Sequence, residues 1–366
     1  KLKKRINYIK FSNILGYTSF LFIKMKVEKA ENKEQLIGLG LISGGLDSLT
    51  ACLLLQKQGI KVIGLNFSSP FCQYDKNSNK SECNLGLFHE KLGIEVYNST
   101  LEDDYLELIR NPKFGYGKNL NPCIDCRIYI LNKAKEFMKK VNADFIFTGE
   151  VLNQRPKSQH MKALKIVERE SGLERKLLRP LSALHLKPTI YEEKGLIDRQ
   201  KLLGIKGRSR KIQLEIAREY GLLENYYACG GCLLTDVNFA NRVRDYMKFN
   251  DNPIMQDIHI LKYGRHFRFK NIKIIIGRNE NENKILLDLK KSNDLIMEAK
   301  DVPGPVTIVQ GEIYEEILNF AAKLTVRYSD YNELRGLIIY GYNYDHLDNE
   351  IFSVIKKGED LRNYIL

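Results

Sequence analysis

The chain has 366 residues, 43% of them hydrophobic and 28% charged, a composition ordinary for a soluble globular protein. That length accommodates two domains, each large enough to bury its own core, and no apolar run approaches a membrane span. Of the formal net charge of +13, six positive charges lie in residues 1–24, which carry no acidic residue, leaving +7 on the rest. That surplus suits a polyanionic partner without demanding one.

Residues 1–24 mix Lys and Arg with Phe, Ile, Leu and Tyr. Their longest apolar stretch, Ser19 to Ile23, is too short for the core of a signal peptide, and no small-residue cleavage site follows. They are expected to be an unstructured extension. Ile37 to Ile42 then reads as a buried strand of a parallel sheet, and Ser48 to Gln58 as a helix. Between them stand Ser43, Gly44, Gly45, Leu46, Asp47 and Ser48. A strand that turns through glycines into a helix N-terminus converges backbone N–H groups on an anion, and the helix dipole favours negative charge there. The loop is neither a Walker A motif nor a Gly-x-Gly-x-x-Gly turn. Asp47 is the nearest carboxylate for a phosphate-bound Mg2+; its plainer reading is a helix N-cap.

Lys61–Phe67, Ile94–Tyr97 and Asp144–Thr148 read as further strands, separated by helices over Leu85–Leu92 and Cys123–Val141. This alternation implies a parallel sheet covered by helices on both faces. Ligands bind beyond the carboxyl ends of such strands, so Ser43–Ser48, Asn66–Ser69 and Thr148–Gln154 are expected around one crevice. Asn66 reads equally as a nucleotide contact or a turn residue. Gly149 would allow close approach of a phosphate-bearing ligand, and Arg155 could stabilise its charge; the plain alternative is a solvated loop.

From Ile190 to Gly221 the pattern is helical, interrupted by a basic turn carrying Lys206, Arg208 and Arg210. A helix over Asn238–Lys248 follows, and the polar stretch Asn250-Asp251-Asn252-Pro253 marks a domain boundary. The remainder reads strand, strand, helix, strand, strand, helix, strand. The organisation expected is therefore residues 1–24 as extension, 25–250 as the first domain and 251–366 as the second. The fold class is α/β: a Rossmann-like parallel sheet with a second, smaller α/β domain.

Seven cysteines include two Cys-x-x-Cys pairs, Cys123/Cys126 and Cys229/Cys232. Such usage points to metal or catalysis rather than a disulfide scaffold. Four thiolates would make a structural Zn2+ site. Three would hold an iron–sulfur cluster with one iron open. Two, one from each pair, would carry persulfide sulfur. Cys72 and Cys83 flank a polar loop and could add ligands, whereas Cys52 lies on an apolar helix face.

The order Ser-Gly-Gly-Leu-Asp-Ser resembles the PP-loop of the ATP pyrophosphatases, whose adenine nucleotide alpha hydrolase-like fold the resemblance implies. Together with Asn121-Pro122-Cys123-Ile124-Asp125-Cys126 and the later cysteine pair, it resembles the PP-loop tRNA thiouridine synthetases, both 2-thiouridylases and iron–sulfur-dependent thiolases. The resemblance covers roughly residues 36–250. It implies that ATP adenylates a uridine carbonyl oxygen and that sulfur displaces AMP. Catalytic roles would fall to Asp47, Cys126, Cys232 and Arg155, and ATP would be held by Ser43, Gly44, Gly45, Leu46, Asp47, Ser48, Asn66 and Gly149. A [4Fe–4S] cluster would take Cys123, Cys126 and Cys232, with Cys229 as a fourth thiol that keeps Zn2+ open. Gly277-Arg278-Asn279 through Asn283, followed by Val302-Pro303-Gly304-Pro305-Val306, resembles the RNA-binding module of NFACT proteins. Arg265, His266 and Arg278 would then face RNA, beside Lys206, Arg208 and Arg210. The partners implied are tRNA and a sulfur donor (sulfide, thiosulfate or a persulfide protein) in the cytoplasm; a homodimer stays open. Two rivals are weighed: a small-molecule amidating or nitrile-forming ligase with structural zinc, against which the RNA-like module speaks, and a non-catalytic RNA-binding factor, against which the intact loop speaks.

Overall fold

A computed structural model describes residues 35–72, 85–222, 231–356 and 359–366; Cys83, Cys229 and the expected extension over 1–24 lie outside them. The chain begins β1 (Ile37–Leu41), α1 (Leu46–Gln56), β2 (Lys61–Ser68), α2 (Leu85–Leu92), β3 (Glu95–Thr100), α3 (Asp104–Arg110), α4 (Cys123–Lys140) and β4 (Phe145–Thr148). Then follow α5 (Met161–Glu170), β5 (Leu177–Leu178), α6 (Ile190–Glu193), α7 (Lys211–Glu219), α8 (Val237–Lys248) and α9 (Met255–Ile258). Strands β1 to β5 form one sheet in the order β3-β2-β1-β4-β5, parallel at every pairing. The alternation of β4 shows why both faces are covered. Phe145 and Phe147 pack among α1 residues such as Leu49 and Leu53, while Ile146 points to the opposite face with Leu131 of α4 and Val167 of α5.

The last third holds β6 (Arg265–Phe269), β7 (Ile272–Ile276), α10 (Glu280–Leu289), β8 (Leu295–Ala299), β9 (Thr307–Gln310), α11 (Glu315–Arg327), β10 (Arg335–Gly341) and β11 (Asn349–Val354). These strands make an antiparallel sheet in the order β11-β10-β8-β9-β7-β6. The architecture is thus the α/β arrangement anticipated, with one strand more at the end than the pattern indicated. Side chains of β7 alternate between two cores: Ile274 and Ile276 meet α11, whereas Ile275 joins Leu286, Val243 of α8 and Tyr105 of α3. A core shared across the expected boundary near Asn250 therefore ties the two sheets together, and Leu36–Leu366 forms one compact unit. A polar tie reinforces it: Asp245 of α8 accepts from Arg268 Nε of β6 at 2.9 Å.

The expected helical run over Ile190–Gly221 is a correction. Only α6 and α7 are α-helical there, separated by turns and by Gly195 and Gly207 at positive φ. The intervening backbone bonds outward instead: Leu203 N–H donates to the Pro180 carbonyl and Ile205 N–H to Leu181. An extended segment beside β5 satisfies its donors that way, and a helix could not.

Candidate nucleotide and thiol site

The carboxyl ends of β1, β2 and β4 open on a cavity of about 270 Å3 that Ser43, Asp47, Ser48, Ser69, Thr148, Gly149 and Gln154 help to line. The three segments expected around one crevice are brought together there. The turn is made by Gly44 at φ +77°, a left-handed conformation that glycine takes without steric cost. Gly45 is the N-cap of α1 and makes no side-chain cap bond, so the N-cap reading of Asp47 is not what the structure shows. Its carboxylate is instead held between two amides: Gln154 Nε2 donates to Oδ2 at 3.1 Å and Gln213 Nε2 of α7 donates to Oδ1 at 3.0 Å. Ser48 Oγ donates back to the Gly45 carbonyl at 2.8 Å.

Two further sequence expectations change character. Buried Asn66 donates from Nδ2 to the Ile42 carbonyl at 2.7 Å, bracing the strand that leads into the loop. Gly149 is required by the protein itself: a Cβ there would stand 2.6 Å from the Asp47 carbonyl carbon and from Ser48 N. The close approach it allows within the protein is that of β4's end to the first turn of α1.

Behind Gly149, buried Glu150 is paired on both sides. Arg127 Nε of α4 lies 3.1 Å from one oxygen and Arg179 Nε 2.9 Å from the other. Burial alone would raise this carboxyl, but the two guanidinium groups outweigh it and hold its pKa below the usual value. Arg179 is itself fully buried and also pairs with Glu168. Glu150, Arg127, Arg179, Gln154 and Gln213 received no role from the sequence. Gln154 and Glu150 stand in the polar segment already singled out, whereas Gln213 had no local signal.

The thiols sort differently from the expected trio. Cys126, Cys232 and Cys72 line the cavity, together with exposed Arg155. Cys123, at the start of α4, donates its thiol to Asn121 Oδ1 instead. Burial raises the Cys123 pKa, opposed by Arg155, Arg127 and Lys157. Burial also raises Cys126, opposed by a hydrogen bond from the Tyr105 hydroxyl, and pushes Cys232 up to about 12. At Cys123 desolvation thus outweighs the neighbouring positive charges. Among the described residues, no three His, Cys, Asp or Glu side chains are arranged to hold a metal ion. The thiols that the resemblance assigns to a cluster, Cys123, Cys126 and Cys232, are not gathered into such a group, and Cys229 lies outside the described residues.

The basic turn sits beside the site. Gly207 N–H donates to the Leu152 carbonyl at 2.7 Å, Lys206 pairs with Leu152 as a parallel bridge, and Lys206, Arg208 and Arg210 are exposed. In the second sheet Arg278 is forked onto Glu282, with Nε 2.9 Å from both oxygens, and Arg265 lies 4.5 Å over the Tyr328 ring. His266 is the exception. It is fully buried, its Nε2 bonded to the Tyr263 carbonyl at 2.7 Å, with burial holding its pKa well below the usual value. An imidazole enclosed in this way cannot face RNA, so the sequence assignment is corrected.

Two family models match separate parts of the chain. Residues 34–192 match the family model of the thiamine biosynthesis protein (ThiI), and residues 264–365 that of the NFACT protein RNA binding domain. The first match spans the parallel sheet and the second the antiparallel sheet. A tRNA-specific 2-thiouridylase MnmA of Clostridioides difficile is 26% identical over 81% of this chain and 85% of its own length. The MnmA of Natranaerobius thermophilus is 32% identical over 30% of this chain, and the match spans only 33% of that relative. A solved 4-thiouridine synthetase–RNA complex with bound ATP superposes at TM-score 0.40 with 18% identity, covering 62% of this chain and 52% of that one. No helix among the described residues is long and apolar enough to cross a membrane.

Proposed function

We propose that the chain is an ATP-dependent tRNA sulfurtransferase, which adenylates a uridine carbonyl oxygen and replaces that oxygen with sulfur. The observation that carries this reading is one cavity lined at once by the PP-loop residues Ser43, Asp47 and Ser48 and by the thiols of Cys126 and Cys232. Backbone N–H groups of the Ser43–Ser48 turn and the first turn of α1 hold the phosphates. Asp47, fixed by Gln154 and Gln213, offers hard oxygens to Mg2+, which when bound would neutralise phosphate charge. Arg155 and Arg127, on the cavity wall, orient the anionic nucleotide. Sulfur travels on thiols: a donor such as thiosulfate or a persulfide protein loads Cys126, and Cys232 assists release. Residues 25–250 carry the chemistry and 251–366 grip RNA, with Arg265 and Arg278 presented by the second sheet. The basic turn Lys206–Lys211 brings tRNA phosphates to the cavity rim. The work is cytoplasmic, where tRNA and ATP are found.

The products test the reading. Incubation with ATP and tRNA is expected to yield AMP and pyrophosphate, stimulated by tRNA, because the loop has no Walker lysine for γ-phosphate chemistry. ADP as the main product would reject it.

A further inference from the structure

Among the described residues three thiols line the cavity, while sulfur transfer through a persulfide uses two. The third, Cys72, lies just after β2, beyond the turn Ser69-Pro70-Phe71, with Ser69 Oγ 3.7 Å from its sulfur. It faces Cys232 as an isolated antiparallel bridge. Leu233 N–H donates to the Phe71 carbonyl at 2.7 Å. That bond flanks the pair instead of joining it, so Cys72 and Cys232 occupy a non-hydrogen-bonded position. Residues opposed in this way have Cα atoms about 4.5 Å apart, inside the roughly 4.4–6.8 Å that a disulfide spans. The register is pinned, because the flanking Phe71 and Leu234 are both buried in one core.

We propose that Cys72 is a resolving thiol, which closes a disulfide with Cys232 and thereby frees Cys126 for the next sulfur. The role rests on the sulfur-transfer reading; the pairing itself does not. In the first step the terminal sulfur of a Cys126 persulfide attacks the adenylated carbon, a C–S bond forms, and the C–O bond to AMP breaks. Cys232, its thiol proton passing to solvent, then attacks Cys126 Sγ. The bond from Cys126 Sγ to the transferred sulfur breaks, that sulfur stays on the base, and a Cys126–Cys232 disulfide forms. The sulfane sulfur has taken up two electrons, and the two cysteines have given them. Cys72, as thiolate, attacks Cys232 Sγ, and Cys126 leaves as a thiolate that recovers a proton. A cellular dithiol supplies two electrons and two protons to reopen Cys72–Cys232, by ordinary thiol–disulfide exchange.

The test maps disulfides in the full-length protein by non-reducing peptide mass spectrometry. Mild oxidation with diamide is expected to link Cys72 to Cys232 in the wild type and in Cys126→Ser alike; absence of that linked peptide from both would overturn the pairing. After one round of tRNA thiolation without reductant, the wild type is expected to carry the Cys72–Cys232 link, with Cys126 open to iodoacetamide. Cys72→Ser is expected to carry a Cys126–Cys232 link, with Cys126 blocked. Equal labelling of Cys126 in the two proteins would overturn the resolving role. If the linked peptide forms but the wild type thiolates no tRNA, the sulfur-transfer reading falls and takes that role with it, while the pairing stands.

Discussion

Gly149→Ala adds one methyl group at the tightest point of the site. Its Cβ would lie 2.6 Å from the Asp47 carbonyl carbon and Ser48 N, and 2.7 Å from the Asp47 carbonyl oxygen. Carbon atoms prefer contacts near ~3.5 Å, so the end of β4 and the first turn of α1 must separate by roughly 1 Å. All three obstructing atoms are backbone, so no side chain can rotate away to make room. Overpacking of this kind costs about 1–3 kcal/mol of stability. A displacement of that size in positioning groups costs about a hundredfold in rate, here because the separation moves the Asp47 carboxylate and the phosphate-facing N–H groups together. Urea denaturation and AMP formation, measured on the same preparation, would report both effects. Gly59→Ala serves as the control: this glycine has positive φ, but nothing lies within 4 Å of its added Cβ, so it should lose some stability and keep its rate. A Gly149→Ala protein with wild-type midpoint and wild-type rate would refute the claim that this contact sets the geometry of the loop.

Asp47→Asn removes the charge that two amides hold in place, and AMP formation is expected to fall about a hundredfold or more, with the denaturation midpoint little changed; a normal rate would contradict the role of Asp47. Glu150→Gln leaves half-buried Arg127 and buried Arg179 short of a counter-charge and should cost about 3–5 kcal/mol at pH 7. Because the folded-state pKa of Glu150 is lowered, its contribution is complete above about pH 4.3 and is lost as pH falls through the folded value; the gap between variant and wild-type midpoints should therefore narrow in acid, and a constant gap would contradict the pairing. Alkylation of Cys232 by iodoacetamide should keep accelerating between pH 8 and 10, since its thiol is pushed up to about 12, whereas a plateau near pH 9 would show an ordinary thiol. Replacing Lys206, Arg208 and Arg210 together by Ala should weaken tRNA binding and flatten its salt dependence by up to about three phosphate contacts, while ATP binding persists; an unchanged salt slope would remove the turn from the RNA surface.

Local patterns carried much of the fold. Ile37–Leu41 and Phe145–Thr148 were legible because fully buried strands are continuous apolar runs, and the Ser-Gly-Gly-Leu-Asp-Ser loop because its residue types serve a specific backbone geometry. The site was legible where it is local, and illegible where it depends on distant pairing. Gln213 reaches Asp47 from a helix whose amphipathic pattern says only that it packs. Cys72 meets Cys232 through a bridge that no periodicity announces. His266 reads as an RNA contact, and burial reverses it: the imidazole is held by a backbone carbonyl, while buried Arg179, which carried no signal, is compensated by two carboxylates. The segment between α6 and α7 misled for a related reason, since its apolar spacing resembles a helix while its hydrogen bonds go to residues 180 and 181.

The central claim is that a uridine carbonyl oxygen is adenylated before sulfur replaces it, and following that oxygen tests it most directly. A tRNA labelled with oxygen-18 at the uridine carbonyls would be incubated with the full chain, ATP, Mg2+ and a persulfide donor, and the AMP analysed by mass spectrometry. The account predicts one oxygen-18 atom in AMP for each thiouridine formed. Thiouridine formed with unlabelled AMP would contradict it.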